Sequence, residues 1–157
     1  MFKILLMEEI SCDFAVIGSG PAGQKGAIQA AKLKKSVVLI EKNIVVGGNC
    51  LNSGTIPSKS LREAIIDLTR YNERSFYGSS CLTEVTIHDL NYRLNTVLEG
   101  ERAILLRQLR KNKIRLIGGS ASFVNGQELL VKNEEVSFRI LAKKILIATG
   151  SEPRNPL

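Results

Sequence analysis

Tryptophan is absent from this sequence, histidine occurs once, and aromatic residues make up only 5% of its 157 residues. The three cysteines, Cys12, Cys50 and Cys81, are odd in number and unevenly spaced, which argues against a disulfide framework and against a zinc site. No apolar run approaches the ~20 residues needed to span a bilayer, and the apolar part of the opening MFKILLM is too short for a secretory signal. We therefore predict a cytoplasmic protein without a metal site or a membrane partner.

Basic residues outnumber acidic ones and give a formal net charge of +7. Most of this excess lies in residues 101–115, where six basic residues accompany one acidic residue. The same stretch carries Ile104, Leu105 and Leu109 at helical spacing, which indicates an amphipathic helix with a solvated basic face. Because neither interleaved aromatic residues nor a known reader motif accompanies the charge, we predict that nucleic acid is not a partner.

A strand, a glycine turn, a helix and a second strand are predicted between residues 13 and 41. DFAVIG, residues 13–18, is a short apolar run that ends in glycine, which is typical of a buried parallel strand. AGQKGAIQAAKL, residues 22–33, is rich in alanine and is followed by lysines, as suits the end of a helix. SVVLIE, residues 36–41, predicts the second strand, so the segment is expected to form one βαβ unit.

The turn in this unit, GSGPAG, has the spacing of a dinucleotide-binding motif. Gly18 would permit the tight turn, Gly20 would let a pyrophosphate approach the backbone, and Gly23 would allow close packing of helix on strand. Glu41, at the end of the second strand, can accept both hydroxyls of an adenosine ribose and would repel a 2′-phosphate. These residues predict FAD or NAD as the ligand, with a solvated acid at a strand end as the alternative reading of Glu41.

Two more helices are predicted in the middle of the chain. A proline in a first turn and apolar residues at helical spacing predict a helix that ends near Tyr71. Residues 72–85 have no clear period and are predicted to form a loop. Thr86 and Asp89 have the spacing of a capping box and predict a third helix that runs to about Asn112.

The remaining segments predict strands. IRLIGG, from Ile114, predicts a buried strand, and the pair Asn125-Gly126 predicts a hairpin turn within ASFVNGQELLV. VSFRI, residues 136–140, would complete a small antiparallel meander, and KKILIATG, residues 143–150, would be a separate central parallel strand. The predicted fold class is therefore α/β, with a Rossmann-like parallel sheet and a small antiparallel β-meander.

Five motifs occur in a fixed order along the chain: GSGPAG, Glu41, GGNCLNSGTIPSK at residues 47–59, GSASF at 119–123 and ATGSEPRNP at 148–156. With these motifs the chain resembles the N-terminal FAD-binding segment of the pyridine nucleotide-disulfide oxidoreductases, the family of glutathione reductase, dihydrolipoamide dehydrogenase and mercuric reductase. The resemblance covers most of the length. It implies FAD as the cofactor and an incomplete FAD-binding domain of the glutathione reductase type.

One position departs from the family pattern GGxCxxxGCIPSK, in which two cysteines form a redox disulfide beside the flavin. Cys50 occupies the position of the first cysteine in this pattern, and Thr55 occupies the position of the second. A threonine hydroxyl cannot form a disulfide, so the relay from flavin to dithiol would be cut. The stretch is similar to that of one branch of the family, the soluble pyridine nucleotide transhydrogenases. This similarity implies hydride exchange between NADPH and NAD through FAD, with NAD and NADP as substrates.

The resemblance also assigns residues to the site. Cys50, Thr55 and Lys59 are the candidate catalytic residues, with Lys59 near the flavin N5, where a positive charge would favour the reduced ring. His88 has no counterpart and is expected on a helix surface. The implied cofactor-binding residues are Gly18, Gly20, Pro21, Gly23, Glu41, Lys42, Gly48, Asn49, Cys50, Thr55, Lys59, Ala121, Thr149 and Gly150.

The length suits one domain, or part of one. Residues 1–157 correspond to the N-terminal part of the family's FAD-binding domain, without its nicotinamide-binding and dimerisation domains. We expect a sheet that is short of a strand, no activity of this chain alone, and a homodimer only for a full-length protein. Two alternatives stay open: a non-catalytic FAD- or dinucleotide-binding module or remnant, and the N-terminal part of a dihydrolipoamide dehydrogenase-like reductase.

Overall fold

The structure is a computed structural model that describes residues 6–43, 45–73, 86–133 and 136–152. Six strands and four helices occur in these ranges. The strands are β1 (Leu6–Ile17), β2 (Val37–Glu41), β3 (Arg115–Gly118), β4 (Ser120–Asn125), β5 (Glu128–Lys132) and β6 (Val136–Ile147). The helices are α1 (Pro21–Lys32), α2 (Gly48–Asn52), α3 (Thr55–Glu73) and α4 (Ile87–Lys111).

The six strands form one sheet in the order β3-β2-β1-β6-β5-β4. Neighbours from β3 to β6 are parallel, whereas β5 is antiparallel to both β6 and β4. The predicted combination of a Rossmann-like parallel sheet with an antiparallel meander is confirmed. β4 stands at the far end of the sheet from β2 yet also contacts it, so the meander curls back over one face of the parallel strands.

The sequence prediction of two separate strands in residues 136–150 is wrong, because both belong to the single strand β6. This strand pairs with β1 along its whole length, from Leu6 opposite Val136 to Ile17 opposite Ile147. β1 itself begins at Leu6 instead of Asp13 and therefore offers a partner for both halves. The consecutive lysines at 143 and 144 are exposed within the strand.

The hairpin turn lies one residue later than predicted. Asn125 is still paired with Glu128, so Gly126 and Gln127 form the loop. The Oδ1 atom of Asn125 accepts a hydrogen bond from the backbone N–H of Gln127 at 2.9 Å, which stabilises the turn locally. The pairing of β4 with β5 shifts register between Phe123 and Asn125, which accommodates the displaced turn.

The capping box at the start of α4 is confirmed. The Oδ2 atom of Asp89 accepts from the N–H of Thr86 at 2.9 Å and from its hydroxyl at 2.6 Å, and the Asp89 N–H donates back to the Thr86 hydroxyl at 3.3 Å. The helix ends at Lys111, close to the predicted Asn112, and His88 is exposed on it.

The middle of the chain differs from the prediction in two respects. α3 starts at Thr55 and extends to Glu73, beyond the predicted end at Tyr71. The short helix α2 was not predicted at all. Residues 74–85 of the predicted loop, together with Cys81, lie outside the described residues.

Two apolar clusters pack on opposite faces of the sheet. α1 and α4 cover one face, where Ala27 and Leu109 pack against strand residues such as Val16 and Leu39. The other cluster is formed by β1 and β2 together with the curled meander, and includes Ile40, Leu129 and Ile140. Burial on both faces explains the apolar runs of β2 and of the last four residues of β1. Parallel pairing of β1 with β2 and β6 brings the C-terminal ends of these strands side by side.

Candidate cofactor-binding site

A cleft of about 640 Å³ opens at the C-terminal ends of β1, β2 and β6. In open α/β sheets this edge is where ligands bind, and the volume lies in the range of small-molecule sites. Five segments line it: residues 17–22, 40–43, 48–50, 119–121 and 148–152. The cleft therefore draws on the glycine turn, the end of β2, the helix α2, the start of β4 and the end of β6.

The glycines of the turn permit close backbone approach. A Cβ atom at Gly18, whose φ is +102°, would lie 2.3 Å from the carbonyl oxygen of Ala148, and one at Gly23 would lie 1.9 Å from that of Gly18. A Cβ atom at Gly48 would lie 2.8 Å from the Cα atom of Gly20. At Gly20 itself an added Cβ would meet no atom of the described residues within 4 Å. Gly20 thus leaves open space at the point where a pyrophosphate would approach.

The N-terminus of α1 faces the same space. Gly20 is its N-cap and Pro21 is its first residue, so the proline occupies a position where no intrahelical donor is needed. The first turn of α1 carries no acidic residue. Its unpaired backbone N–H groups and the positive end of the helix dipole favour an anionic group at this end.

Ser19 joins three segments of the cleft. Its backbone N–H and its hydroxyl both donate to Oε2 of Glu41, at 2.9 Å and 2.5 Å. Its hydroxyl oxygen in turn accepts from the backbone N–H of Gly47 at 2.9 Å. Ser19 is fully buried and Glu41 is 5% exposed. The Ser19 side chain therefore links three segments: the glycine turn, the end of β2 and the segment before α2.

Glu41 is held as a carboxylate. Burial alone would raise the pKa of Glu41, but hydrogen bonds from the side chain of Ser19 and from the backbone of Asn43 and Ser19 outweigh it and lower the pKa below its ordinary value. The bond from the Asn43 N–H to Oε1 measures 2.9 Å. A carboxylate has about four acceptor sites, and three are used by these bonds. Oε1 accepts one of these three bonds and Oε2 accepts two, so Oε1 is the oxygen with more room for a ribose hydroxyl. That Glu41 accepts both ribose hydroxyls stays a prediction.

The opening of the cleft is bridged by polar contacts. The Nδ2 atom of Asn49 donates to the backbone carbonyl of Ser151 at 3.1 Å. The Nζ atom of Lys42 lies 3.4 Å from Oε1 of Glu152, and both side chains are exposed. These contacts connect α2 and the end of β2 to the segment that follows β6.

The structure brings most of the predicted site residues to this cleft. Its lining includes Gly18, Gly20, Pro21, Glu41, Lys42, Gly48, Asn49, Cys50, Ala121, Thr149 and Gly150. Gly23 lies beneath the turn, against Gly18. Thr55 and Lys59 are exposed on α3 and are not part of the lining. Their predicted roles next to the flavin remain predictions.

Ten of the lining residues were not predicted, and five of these are polar: Ser19, Asn43, Ser120, Ser151 and Glu152. Ser19 occupies a variable position of the glycine motif, where a small polar residue could have suggested a bond to the acid at the end of β2. Asn43 is two residues after Glu41, so its backbone N–H can reach the Glu41 carboxylate. Ser151 and Glu152 belong to the motif ATGSEPRNP, but no role was assigned to them because their contacts depend on how the chain leaves β6.

Cys50 and Cys12 are both free thiols. Cys50 is half-buried on α2 and lines the cleft, whereas Cys12 lies within β1 in the sheet core. Burial raises the pKa of the Cys12 thiol, which keeps it protonated and unreactive. Cys12 therefore does not supply a partner for Cys50.

Neither a membrane helix nor a metal site was found in the described part of the chain. No helix there has the length and apolar character needed to cross a bilayer. Within residues 6–43, 45–73, 86–133 and 136–152, no cluster of three or more His, Cys, Asp or Glu side chains could hold a metal ion.

The fold and the cleft define a dinucleotide-binding domain: a glycine turn opens α1, and a carboxylate ends the second strand of a parallel sheet. A family model described as pyridine nucleotide-disulphide oxidoreductase matches residues 12–157, and the chain belongs to this family.

Related proteins support the assignment to this family. The soluble pyridine nucleotide transhydrogenase of Mycobacterium tuberculosis is 42% identical over 148 residues, which cover 92% of this chain and 32% of that protein. The enzyme of the same name from Colwellia psychrerythraea is 34% identical over 146 residues, covering 92% of this chain and 31% of the relative. The chain thus spans about a third of the length of these relatives.

A solved structure shares the fold. The Cu(II) complex of the HOCl-induced flavoprotein disulfide reductase RclA from Escherichia coli superimposes with a TM-score of 0.76 at 29% identity. The match covers 93% of this chain and 30% of that one. The family and this flavoprotein neighbour together imply FAD as the cofactor.

The residues of the cleft fit FAD. The open space at Gly20 and the N-terminus of α1 suit the pyrophosphate, and the spare acceptor site on Glu41 suits the adenosine ribose. Gly48, Asn49 and Cys50 continue the lining on the other side of the glycine turn, where a longer ligand would extend.

Proposed function

We propose that this chain supplies the FAD-binding part of a soluble pyridine nucleotide transhydrogenase, which exchanges hydride between NADPH and NAD. The observation that carries the proposal is that Cys50 is the one thiol among the described residues that line the cleft, while threonine occupies position 55, where the dithiol enzymes have their second cysteine. A lone thiol cannot store two electrons as an intramolecular disulfide. The names of the related transhydrogenases agree with this reading.

Bound FAD would supply the two-electron chemistry of hydride transfer. The chain's own residues bind and orient it. Gly20 and the first turn of α1 receive the pyrophosphate, while the Glu41 carboxylate accepts a ribose hydroxyl and repels a 2′-phosphate. Gly48, Asn49 and Cys50 line the path of the ribityl chain. In the whole protein Lys59 would place its charge near the flavin N5, where it favours the reduced ring.

The chain alone is expected to be inactive as a transhydrogenase. The sequence contains the GxGxxG pattern once, in GSGPAG. Exchange between two nicotinamide nucleotides requires a site for them in addition to the site for FAD. An assay with added FAD, NADPH and a thio-analogue of NAD should therefore read background for residues 1–157 and turnover for a full-length protein.

Ligand binding tests the cofactor assignment directly. The apo chain should bind FAD more tightly than FMN, which lacks the adenosine, and more tightly than NADP, whose 2′-phosphate Glu41 repels. Equilibrium titration followed by flavin fluorescence or calorimetry measures all three. Tighter binding of FMN than of FAD would contradict the assignment of Glu41 and Ala121 to the adenosine half.

Disulfide reduction is the second candidate function. It is favoured by the presence of Cys50 in the cleft and by the likeness to a flavoprotein disulfide reductase. It would require a second thiol close to Cys50, and Cys12 is excluded by its position in the sheet core. Efficient reduction of lipoamide or glutathione disulfide by the full-length protein, abolished by Cys50→Ser, would favour this candidate over the transhydrogenase.

A further inference from the structure

The short helix α2 carries Gly48, Asn49 and Cys50 into the cleft but has little support of its own. It spans five residues, and isolated helices of this length are not stable. Its N-cap is Gly47, which has no side chain to cap the first turn. Gly47 and Gly48 both have positive φ, at +114° and +62°. The position of these cleft residues must therefore be fixed by contacts from outside α2.

One such contact is made by Asn52 at the end of α2. Its Nδ2 atom donates to the backbone carbonyl of Gly48 at 3.0 Å and to that of Val46 at 3.3 Å. These carbonyls flank Gly47, so one amide group holds both sides of the turn that leads into α2.

Asn52 is in turn oriented by Arg102, fifty residues further along the chain on α4. The Nη2 atom of Arg102 donates to Oδ1 of Asn52 at 2.9 Å. This bond fixes which end of the Asn52 amide points at the carbonyls, because Oδ1 is turned towards the guanidinium. The long helix α4 thereby reaches the cleft through two successive side chains.

Burial of part of the Arg102 side chain lowers the stability of the fold. Its Nε atom is buried without a hydrogen-bond partner among the described residues. A buried donor that is left unsatisfied destabilises the fold. Buried leucines precede and follow it on the same helix, Leu98 and Leu105. An apolar side chain at position 102 would extend that packing without an unsatisfied donor, so fold stability does not account for the guanidinium.

We propose that Arg102 is a positioning residue of the cofactor site: through Asn52 it fixes the turn at Val46–Gly48 and hence the α2 residues that line the cleft. This inference rests on the proposed binding of FAD and names a residue of α4 that is outside the cofactor motifs. Because α2 lies beyond the glycine turn from Glu41, Arg102 supports the flavin half of FAD and not the adenosine half.

The test compares Arg102→Met with the wild-type 157-residue chain and with Arg107→Met, an exposed arginine on the same helix. The rate of backbone hydrogen exchange in residues 46–52 of the apo protein measures how firmly the turn is held in the absence of ligand. Dissociation constants for FAD and for ADP separate the two halves of the cofactor, and thermal unfolding reports the fold. Asn52→Asp provides a second variant, since aspartate still accepts from Arg102 but no longer donates to the two carbonyls.

Arg102→Met and Asn52→Asp should each accelerate exchange in residues 46–52 and raise the FAD dissociation constant about tenfold, the size expected for one lost hydrogen bond. The ADP dissociation constant should stay unchanged, and Tm of Arg102→Met should equal or exceed that of the wild type. Arg107→Met should match the wild type throughout.

Two results would overturn the inference. One is unchanged exchange in residues 46–52 in Arg102→Met. The other is an equal loss of FAD and ADP affinity accompanied by a lower Tm, which would indicate a structural role only. If the wild-type chain binds neither ligand, the proposed function fails, whereas the exchange measurement still decides whether Arg102 fixes the turn.

Discussion

Gly20 and Gly48 face each other so closely that a Cβ atom on Gly48 would lie 2.8 Å from the Cα atom of Gly20, whereas one on Gly20 would point into the open cleft. The two glycines therefore have different tasks. Gly48 allows α2 to pack against the glycine turn, and Gly20 leaves room for a ligand.

Alanine substitutions should separate these tasks. Gly20 has φ −65° and ψ 177°, which alanine adopts without strain, so Gly20→Ala should keep the Tm of the apo protein and weaken FAD binding at least tenfold. Gly48→Ala meets both a positive φ of +62° and a backbone contact, and it should lower both Tm and FAD affinity. Thermal unfolding and flavin titration of both variants check this. A marked loss of Tm in Gly20→Ala would contradict the assignment of that space to the ligand.

Removal of the Ser19 hydroxyl should affect both stability and binding. Ser19→Ala leaves the buried N–H of Gly47 without its acceptor and removes one donor from Glu41. A buried group left unpaired in this way costs about 1–3 kcal/mol in the free energy of unfolding, which urea denaturation measures. Ser11→Ala, an exposed serine of β1, is the matched control and should stay within about 0.5 kcal/mol of the wild type. FAD affinity should fall in Ser19→Ala alone.

Acid should destabilise the protein partly through Asp13. Hydrogen bonds from the Lys143 side chain, at 2.7 Å, and from Ser36 hold the pKa of Asp13 well below its ordinary value. The unfolded chain then binds a proton at higher pH than the folded chain does. The contribution of Asp13 is therefore complete above its ordinary pKa of about 3.9 and is lost as the pH falls further.

The measurement is the urea midpoint between about pH 5 and pH 2. The midpoint of Asp13→Asn should fall less steeply with decreasing pH than that of the wild type. The slope for Lys143→Met should lie between these two, because the bonds from the Ser36 N–H and hydroxyl to the Asp13 carboxylate remain. Equal slopes for the wild type and Asp13→Asn would show that this carboxyl is not stabilised in the fold.

Replacement of the cleft thiol tests the proposed chemistry in a full-length protein. Cys50→Ser should leave hydride transfer from NADPH to thio-NAD close to the wild-type rate, because Thr55 removes the partner that a dithiol relay would need. The rate is followed by the absorbance of the reduced thio-analogue. Thr55→Cys is the converse variant, and thiol titration before and after reduction shows whether a disulfide then forms. Loss of hydride transfer in Cys50→Ser would assign the thiol a role that the transhydrogenase proposal does not give it.

Sequence reasoning predicted the βαβ unit and the glycine turn because both depend on local features, whereas the resemblance to the family supplied most of the other predicted cleft residues. The apolar runs of β1 and β2 reflect burial on two faces, and the glycines at 18, 20 and 23 reflect backbone contacts within one turn. The capping box of α4 is likewise local, since it involves residues three apart.

The parts that were missed depend on distant partners. The first half of β1 contains Glu8 and Glu9 and resembles no buried strand, yet it is held by the full-length pairing with β6. The helix α2 exists because two glycines adopt positive φ and because Arg102 and Asn52 fix its first turn. Neither the register of β6 nor the approach of α4 is encoded in a short pattern of residues.

β6 belongs to the parallel sheet and to the meander at once, since it pairs with β1 over its whole length and with β5 over its first half. A strand shared in this way leaves no hinge between the two parts. Loss of β6 would expose apolar residues on both faces of the sheet, so we expect the two parts to unfold together. We therefore expect the cleft to be bordered by one cooperative folding unit. Disruption of the meander should then unfold the cofactor site as well.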